Sequence, residues 1–273
     1  MSVLAVTGST GNVGSRVARL LSAAGVPQRL VVRDPRRAPA LDGTTVVQCT
    51  YQDAGAARRA LDGVDTLFMV SGAEAPDRVD QHRTFIDAAA AAGVARVVYL
   101  SFYGASPDAT FTLARDHWAT EEHIRATGLA HTFIRDNMYL DFFPFMVDDG
   151  VIRGPAGDGR VAGVAQDDIA EVVATVLRTT GHDGAMYELT GREALTLHEI
   201  AAILGPCVRY QPETVEEAYA SRAKYGAPDW LVDAWVSTYT AIATGELAGI
   251  TEVVERMTGH PPRTLAELLG SAP

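Results

Sequence analysis

The chain has 273 residues, of which 47% are hydrophobic, and carries a formal net charge of −11 at pH 7. This length and composition are typical of a globular protein with a sizeable core, and the negative charge argues against nucleic-acid binding, which needs a basic surface to neutralise phosphates. No apolar run approaches the roughly 18 residues of a membrane helix. We therefore expect neither nucleic-acid nor membrane partners. Because the first strand begins at Val3, we expect no signal peptide and a cytoplasmic location.

A strand, a glycine turn and a helix open the chain. Val3 to Val6 form a short apolar run typical of a buried parallel strand, Gly8, Gly11 and Gly14 follow at three-residue spacing, and an amphipathic helix runs to Ala24. Glycines let a backbone turn tightly beside a pyrophosphate, and the N terminus of a helix favours its negative charge. The order therefore predicts a dinucleotide site, although three glycines also suit an ordinary tight turn.

The second strand, Gln28 to Val32, ends at Arg33. In an NAD site an acidic residue near this position binds the ribose 2′-hydroxyl, whereas an arginine accommodates the 2′-phosphate of NADP. Arg33 therefore favours NADPH over NADH. The adjacent acid, Asp34, complicates this prediction. The alternative is that Arg33, Arg36 and Arg37 lie in a solvated loop and bind no cofactor.

Further strands alternate with helices along the chain. The strands are predicted at Thr45 to Cys49, Asp65 to Ser71, Arg96 to Phe102, Ala130 to Arg135 and Tyr187 to Thr190, and the helices begin near Asp53, Asp77, Ala114 and Gln166. This alternation predicts right-handed βαβ crossovers, and hence an α/β Rossmann fold with a doubly wound, mainly parallel sheet. Ser71 and Gly72, and Ser101 with Phe102, would then lie at the carboxyl ends of strands, where such sheets bind ligands.

The sequence changes in character near Gly150. We predict an NAD(P)-binding Rossmann domain over residues 1–150 and a smaller C-terminal α/β lobe for the substrate over 151–273, interleaved with the sheet in one compact unit. Capping-box spacing predicts three helix starts in the lobe, at Thr196 with Glu199, Thr214 with Glu217, and Thr264 with Glu267.

Two histidines and the two cysteines are candidate reactive or metal-binding groups. His117 shares one helical face with Glu121 and Ile124. His82 could approach the site from its own helix, but a surface position is expected. Cys49 and Cys207 lie far apart without metal-ligand spacing, so we predict neither a disulfide framework nor a metal site.

Five motifs occur in the order of a known family. They are Thr7 to Gly14, Arg33, Asp116 to Glu121, Phe133 to Tyr139, and Tyr187 to Gly191. From Val3 to about Leu269 the chain resembles the NmrA-like group of atypical short-chain dehydrogenase/reductases. Within that group it is most similar to the type 2 NAD(P)H:quinone oxidoreductases and the triphenylmethane-dye reductases.

One family feature is absent. Ordinary short-chain dehydrogenases use a Tyr-x-x-x-Lys pair to exchange a proton with a carbonyl or alcohol. Lys224 is the single lysine, and position 220 is Ala, so the pair cannot form. The resemblance implies instead direct hydride transfer from NADPH to a stacked, electrophilic acceptor such as a quinone or dye, through proximity and orientation.

The resemblance also implies site residues. Those expected to bind the cofactor are Gly8, Thr10, Gly11, Asn12 and Val13 at the pyrophosphate, Arg33 at the 2′-phosphate, Ser71 and Gly72 on the adenine side, and Ser101 with Phe102 near the nicotinamide ribose. His117 is the candidate catalytic residue, bonding that ribose or protonating the reduced acceptor; a positional role is the alternative.

The acceptor pocket is expected to contain Tyr139 and Phe143. Asp136 departs from the Asn common in the relatives, which weakens any amide-like contact there. The leading hypothesis is an NADPH-dependent reductase of quinones or similar flat electrophiles. The alternatives are a non-catalytic NADP-binding sensor that regulates a protein partner and a scaffold with a vestigial site. The sequence leaves the physiological acceptor and the oligomeric state open, a homodimer being one option.

Overall fold

The structure, a computed structural model, describes residues 3–270. Its strands are β1 (Leu4–Thr7), β2 (Gln28–Val32), β3 (Thr44–Gln48), β4 (Thr66–Val70), β5 (Arg96–Phe102), β6 (Ala130–Asp136), β7 (Val151–Gly154), β8 (Arg160–Val161), β9 (Met186–Leu189), β10 (Leu195–Thr196) and β11 (Arg209–Pro212). Seven of them form one sheet in the order β3-β2-β1-β4-β5-β6-β9, and β8 with β10 and β7 with β11 form two small sheets.

The helices are α1 (Asn12–Ala23), α2 (Ala54–Ala60), α3 (Arg78–Ala91), α4 (Thr112–Thr127), α5 (Gln166–Arg178), α6 (Leu197–Leu204), α7 (Val215–Arg222), α8 (Asp229–Ala243), α9 (Val253–Thr258) and α10 (Leu265–Gly270). Short 3₁₀ helices cover Pro35–Arg37, Leu140–Met146 and Ala223–Tyr225. Across residues 3–270, none of these helices is both long enough and apolar enough to cross a membrane.

The predicted fold class is confirmed. The bounds of β2 and β5 match the prediction, and β3, β2, β1, β4 and β5 pair side by side in parallel. The side chains of β1, β4 and β5 explain this, since parallel strands covered on both faces need near-continuous apolar runs. Ala5, Leu67 and Val97 from three of these strands join Phe85 and Ile86 of α3 in one buried cluster.

The chain forms two compact units that do not follow a single cut at residue 150. The first unit contains the chain up to Phe102 together with Asp116–Arg135 and Ile169–Tyr187. The second contains Tyr103–Arg115, Asp136–Asp168 and the chain from Glu188 onward. The chain leaves the first unit after β5, returns to it for most of α4 and β6, and returns again for most of α5. Residues on both sides of position 150 therefore contribute to each unit.

The predicted helix starts in the second unit are confirmed. Thr196 with Glu199 and Thr214 with Glu217 form complete capping boxes at α6 and α7. At α10 the Glu267 N–H donates to Thr264 Oγ1 at 3.1 Å, and Glu267 Oε2 accepts from the Thr264 N–H at 2.8 Å. Helix α8 was not predicted, because it starts after Pro228 without a side-chain cap and so lacks that signal.

Two glycines, one in the turn between β1 and α1 and one in the first turn of α1, have no space for a side chain. Gly8 has φ of +65°, and a Cβ there would lie 2.7 Å from Val70 Cβ. A Cβ at Gly14, inside α1, would overlap the Gly8 carbonyl oxygen. The first glycine is therefore required by both backbone conformation and space, and the third by close packing of the helix on the turn.

Gly14→Ala tests this packing. Both Gly14 and Gly55 are helical, and helix propensity alone would make either alanine substitution stabilising by up to about 1 kcal/mol. Because the new methyl group overlaps main chain, we expect Gly14→Ala to destabilise by about 1–3 kcal/mol. Gly55→Ala is the control, since its nearest neighbour is the flexible end of Arg59 at 3.3 Å. Urea unfolding measures both, and equal stabilisation by the two substitutions would contradict the packing argument.

Candidate functional site

The order of the sheet reverses between two central strands of the first unit. From β1 the chain builds outward through β2 to β3, whereas β4 begins the other half of the sheet. In open α/β sheets, ligands bind outside the carboxyl ends of the strands at such a switch point. The glycine turn follows β1 directly, and Ser71 and Gly72 follow β4, so both predicted segments lie at this position.

Side-chain hydrogen bonds join the two strand ends. The Val70 N–H donates to Thr7 Oγ1 at 2.8 Å. The Tyr51 hydroxyl oxygen lies 2.7 Å from Thr7 Oγ1 and 2.6 Å from the Val70 carbonyl oxygen. The Tyr51 ring also stacks on Phe85 with 4.3 Å between centroids. Burial raises the pKa of Tyr51, which therefore stays a neutral phenol. Sequence reasoning missed this residue, because its two partners are distant in the chain.

The glycine turn presents main-chain donors and one buried hydroxyl. Helix α1 begins after Gly11 with no side-chain cap. Within residues 3–270, therefore, no side chain caps the first-turn N–H groups, which are where an anion would bind. Ser9 is 1% exposed, and its hydroxyl has no hydrogen-bond partner among the residues described. Of the predicted residues, Gly11 and Asn12 are exposed and Thr10 is half-buried. The Val13 side chain is buried, which leaves only its main chain for a ligand.

The predicted cofactor-selecting residue lies at the end of β2. Arg33 is exposed and directly follows the last strand residue. The adjacent Asp34 carboxylate is occupied: Oδ1 accepts from the Arg36 N–H at 3.1 Å and from Arg36 Nε at 3.0 Å, and Oδ2 accepts from Nη2 at 2.9 Å. These hydrogen bonds lower the pKa of Asp34. The neighbouring acid is thus committed to Arg36.

A buried polar network connects the end of β4 with α3, β5 and α4. His82 Nε2 accepts from the Gly72 N–H at 2.7 Å, and His82 Nδ1 lies 2.9 Å from Thr120 Oγ1. His117 Nε2 lies 3.0 Å from Arg78 Nη2, and its Nδ1 lies 3.0 Å from the Tyr99 hydroxyl. His82 is 0% exposed, so the expected surface position was wrong. The sequence did carry a signal, since His82 shares the inward face of α3 with Phe85 and Ile86.

The donors in this network determine both imidazole tautomers. A backbone N–H and a guanidinium only donate, so His82 and His117 each accept at Nε2 and carry the proton on Nδ1. Burial, reinforced by Arg78, lowers the pKa of His82 to about 3 and holds the pKa of His117 well below its ordinary value. Both imidazoles are therefore neutral, with both ring nitrogens engaged. This geometry favours the positional role for His117 over proton donation.

Ser101 belongs to a second buried cluster. Its hydroxyl donates to Glu121 Oε1 at 2.6 Å, and the same carboxylate accepts from Arg135 Nε at 2.9 Å and Nη2 at 2.7 Å. Glu121 is 0% exposed, so its charge is balanced by the Arg135 guanidinium through a bidentate pair. The Ser101 side chain is thus turned toward Glu121, while the following Phe102 ring is half-buried, 6.1 Å from the His117 ring.

The residues expected around the acceptor belong to the second unit. Tyr139 is half-buried, and its hydroxyl lies 3.0 Å from Asp136 Oδ2. Burial raises the pKa of Asp136 well above its ordinary value. Phe143 is fully buried, and its ring would lie 3.0 Å from a Cβ at Gly163. The placement of Phe143 is that of a core residue, because no face of its ring is accessible.

The neutral, buried histidines should make the stability of the folded chain sensitive to acid. An unfolded chain binds a proton at His82 as the pH falls below 6.5, whereas the folded chain does not until about pH 3. Stability from this group is thus complete above pH 6.5 and is lost as the pH falls below it. Between about pH 6 and pH 5, we expect His82→Gln to reduce the slope of unfolding free energy against pH by roughly 1 kcal/mol per pH unit.

Urea unfolding at several pH values measures these slopes. Thr120→Val is the matched control, because it removes the hydrogen bond between Thr120 and His82 but keeps the imidazole. The slope of its unfolding free energy against pH should equal that of the unmodified chain. Identical slopes for His82→Gln and the unmodified chain would contradict a neutral, buried His82.

Comparisons with known proteins agree with this geometry. A family model described as NAD(P)H-binding matches residues 8–180. Quinone oxidoreductase 2 of Escherichia coli strain K12 is 35% identical, covering 97% of this chain and 96% of that protein, and NAD(P)H azoreductase of Xenophilus azovorans is 32% identical with the same coverage.

Solved structures show the same relationship. The E. coli NADPH-dependent quinone oxidoreductase complexed with NADPH aligns with a TM-score of 0.89 and 34% identity over 98% of each chain. The Citrobacter sp. triphenylmethane reductase complexed with NADP(H) aligns with a TM-score of 0.86 and 28% identity, over 98% of this chain and 100% of that one. The fold, the glycine turn at the switch point and these matches together show that the chain belongs to the NmrA-like family of NAD(P)H-binding proteins.

Proposed function

We propose that this protein is an NADPH-dependent reductase of quinones or similar flat, electrophilic acceptors. The observation that carries the proposal is the glycine turn, which lies at the switch point of a parallel sheet and leads into a helix without a side-chain cap. The similar proteins named quinone oxidoreductase 2 and azoreductase, each matching almost the whole chain, support this acceptor class.

The residues at the turn fit a dinucleotide. We propose that Gly8, Thr10, Gly11, Asn12 and Val13 bind its pyrophosphate, mainly through main-chain N–H groups. Gly11, whose N–H donates to the Gly8 carbonyl oxygen at 2.8 Å, contributes close approach of its main chain instead. The buried Ser9 hydroxyl lacks a partner among the described residues, and a buried unsatisfied hydroxyl is costly; a phosphate oxygen would satisfy it. A Cβ at Gly14 would fill the space between the helix and the turn. When bound, the nicotinamide supplies the hydride, and the residues of the chain hold the cofactor in position.

Neither Lys224 nor His117 is placed to act as a strong general acid, which favours an acceptor that needs none. Lys224, the single lysine, is exposed and donates to Asp148 Oδ2 at 2.7 Å. His117 is neutral and bonded at both ring nitrogens. We propose that His117 has a positional role and does not donate a proton to the acceptor. Electrophilic quinones suit such a site, because binding and orientation provide most of the acceleration.

We further propose a preference for NADPH over NADH. Asp34 is the acid that would compete for a ribose hydroxyl, and Arg36 occupies its carboxylate. Arg33 is exposed at the end of β2, where it would bind a 2′-phosphate through a charge-assisted hydrogen bond. Contacts of Phe102 and Tyr139 with the ligands, a homodimer and a cytoplasmic location stay predictions from the sequence.

Turnover tests the reductase directly. Purified protein is mixed with NADPH and a panel of quinones and cationic dyes, and the loss of NADPH absorbance is followed. We expect turnover with at least one acceptor. NADPH binding by calorimetry without turnover on any of them would favour the regulatory sensor, and the absence of binding would contradict both functions.

Arg33→Ala tests the cofactor preference. A charge-assisted hydrogen bond contributes roughly 1.5–3 kcal/mol, so we expect the ratio of NADH to NADPH dissociation constants to fall about tenfold to a hundredfold. Arg178→Ala, which removes an exposed arginine at the end of α5, is the control and should leave the ratio unchanged. An unchanged ratio in Arg33→Ala would show that another group receives the phosphate.

A further inference from the structure

Two side chains of α3 hold the main chain of Gly72 from both sides of the residue. His82 Nε2 accepts from the Gly72 N–H at 2.7 Å, and Arg78 Nε donates to the Gly72 carbonyl oxygen at 3.1 Å. A Cβ at Gly72 would lie 3.2 Å from His82 Nε2, so the imidazole packs closely on the main chain. We call Arg78 and His82 the Gly72 clamp.

The clamp is itself fixed from α4. Arg78 Nη2 donates to His117 Nε2 at 3.0 Å, and His82 Nδ1 donates to Thr120 Oγ1 at 2.9 Å. Arg78 is 5% exposed, and His82 and Thr120 are 0% exposed. These hydrogen bonds are therefore shielded from bulk water, and both clamp side chains are held in one orientation.

We propose that Arg78 and His82 are positioning residues for the cofactor, holding the segment 71–72 at the end of β4 in the conformation that receives the dinucleotide. This inference rests on the proposed function. Its physical basis is preorganisation: a segment already ordered in the unliganded protein loses less conformational freedom on binding.

A consequence follows for how Gly72 binds. Because its N–H is committed to His82, Gly72 contributes close approach of its main chain rather than a hydrogen bond to a phosphate. The neighbouring Ser71 is half-buried and supplies the polar contact of this segment. The clamp requires an unprotonated Nε2, and the low pKa of His82, caused by burial and by Arg78, keeps that nitrogen an acceptor at neutral pH.

Two amide substitutions separate the two hydrogen bonds of His82. In His82→Gln the longer amide reaches the Nε2 position, so its oxygen accepts from the Gly72 N–H while the bond to Thr120 is lost. In His82→Asn the shorter amide reaches only the Nδ1 position, so its nitrogen donates to Thr120 while the Gly72 N–H loses its partner. His123→Asn is the control, because that histidine of α4 bonds to Asp87 of α3 and not to the clamp.

We expect His82→Asn to weaken NADPH binding about tenfold, with kcat at saturating NADPH unchanged, and His82→Gln to stay within about twofold of the unmodified chain. Hydrogen exchange of the peptide covering residues 70–78 should be faster in unliganded His82→Asn but not in His82→Gln. Because it reports on this one segment, the exchange measurement distinguishes the two variants even where they differ in thermal stability.

Equal NADPH affinity and equal exchange in the two variants would overturn the clamp. So would a loss of affinity that follows thermal stability in both variants, since that pattern describes a purely structural histidine. Failure of the unmodified chain to bind NADPH would instead reject the proposed function, so the two failures are distinguishable.

Discussion

The close packing of the glycine turn on β4 is the constraint on which the rest of the first unit depends. Val70 occupies the space of a Gly8 side chain, and Thr7 Oγ1 accepts a hydrogen bond from the Val70 N–H. These contacts fix the ends of β1 and β4 against each other. Since α1 starts from this turn and the segment 71–72 from the end of β4, these contacts determine where the two segments that we propose to bind the dinucleotide begin.

Local pattern was sufficient to predict most of the sheet. Apolar runs such as Arg96 to Phe102 are read from neighbouring residues alone, and their bounds agree with the structure. The small sheets were not predicted, because their strands are short and their partners are distant in the chain. Thr196 of β10 pairs with Arg160 of β8 across 36 residues, and Arg209 of β11 pairs with Val151 of β7 across 58 residues. Such pairing is decided by tertiary contacts that no local period records.

The candidate site, too, was predictable only where its features are local in the sequence. The glycine turn and the position of Arg33 were predictable, because glycine spacing and the end of a strand are local features. The hydrogen bonds that buried side chains form with each other were not predictable. Ser101, expected beside a ribose, donates to the buried Glu121, and His82, expected at the surface, supports Gly72. A polar side chain that becomes buried must find a partner, and that partner is known only once elements distant in the sequence are brought together.

The buried network also bears on the kind of chemistry the first unit can perform. Arg78 holds a permanent positive charge beside His117, and its nearest carboxylate oxygen, on Asp116, is 3.6 Å away. Burial and this charge act in the same direction on both imidazoles, so each stays neutral and adopts one tautomer. A proton relay needs groups that change protonation state readily near neutral pH. A network with one proton arrangement is instead a rigid support. A rigid support beside the turn that we propose to bind the nucleotide is suited to holding a reactive ring in place.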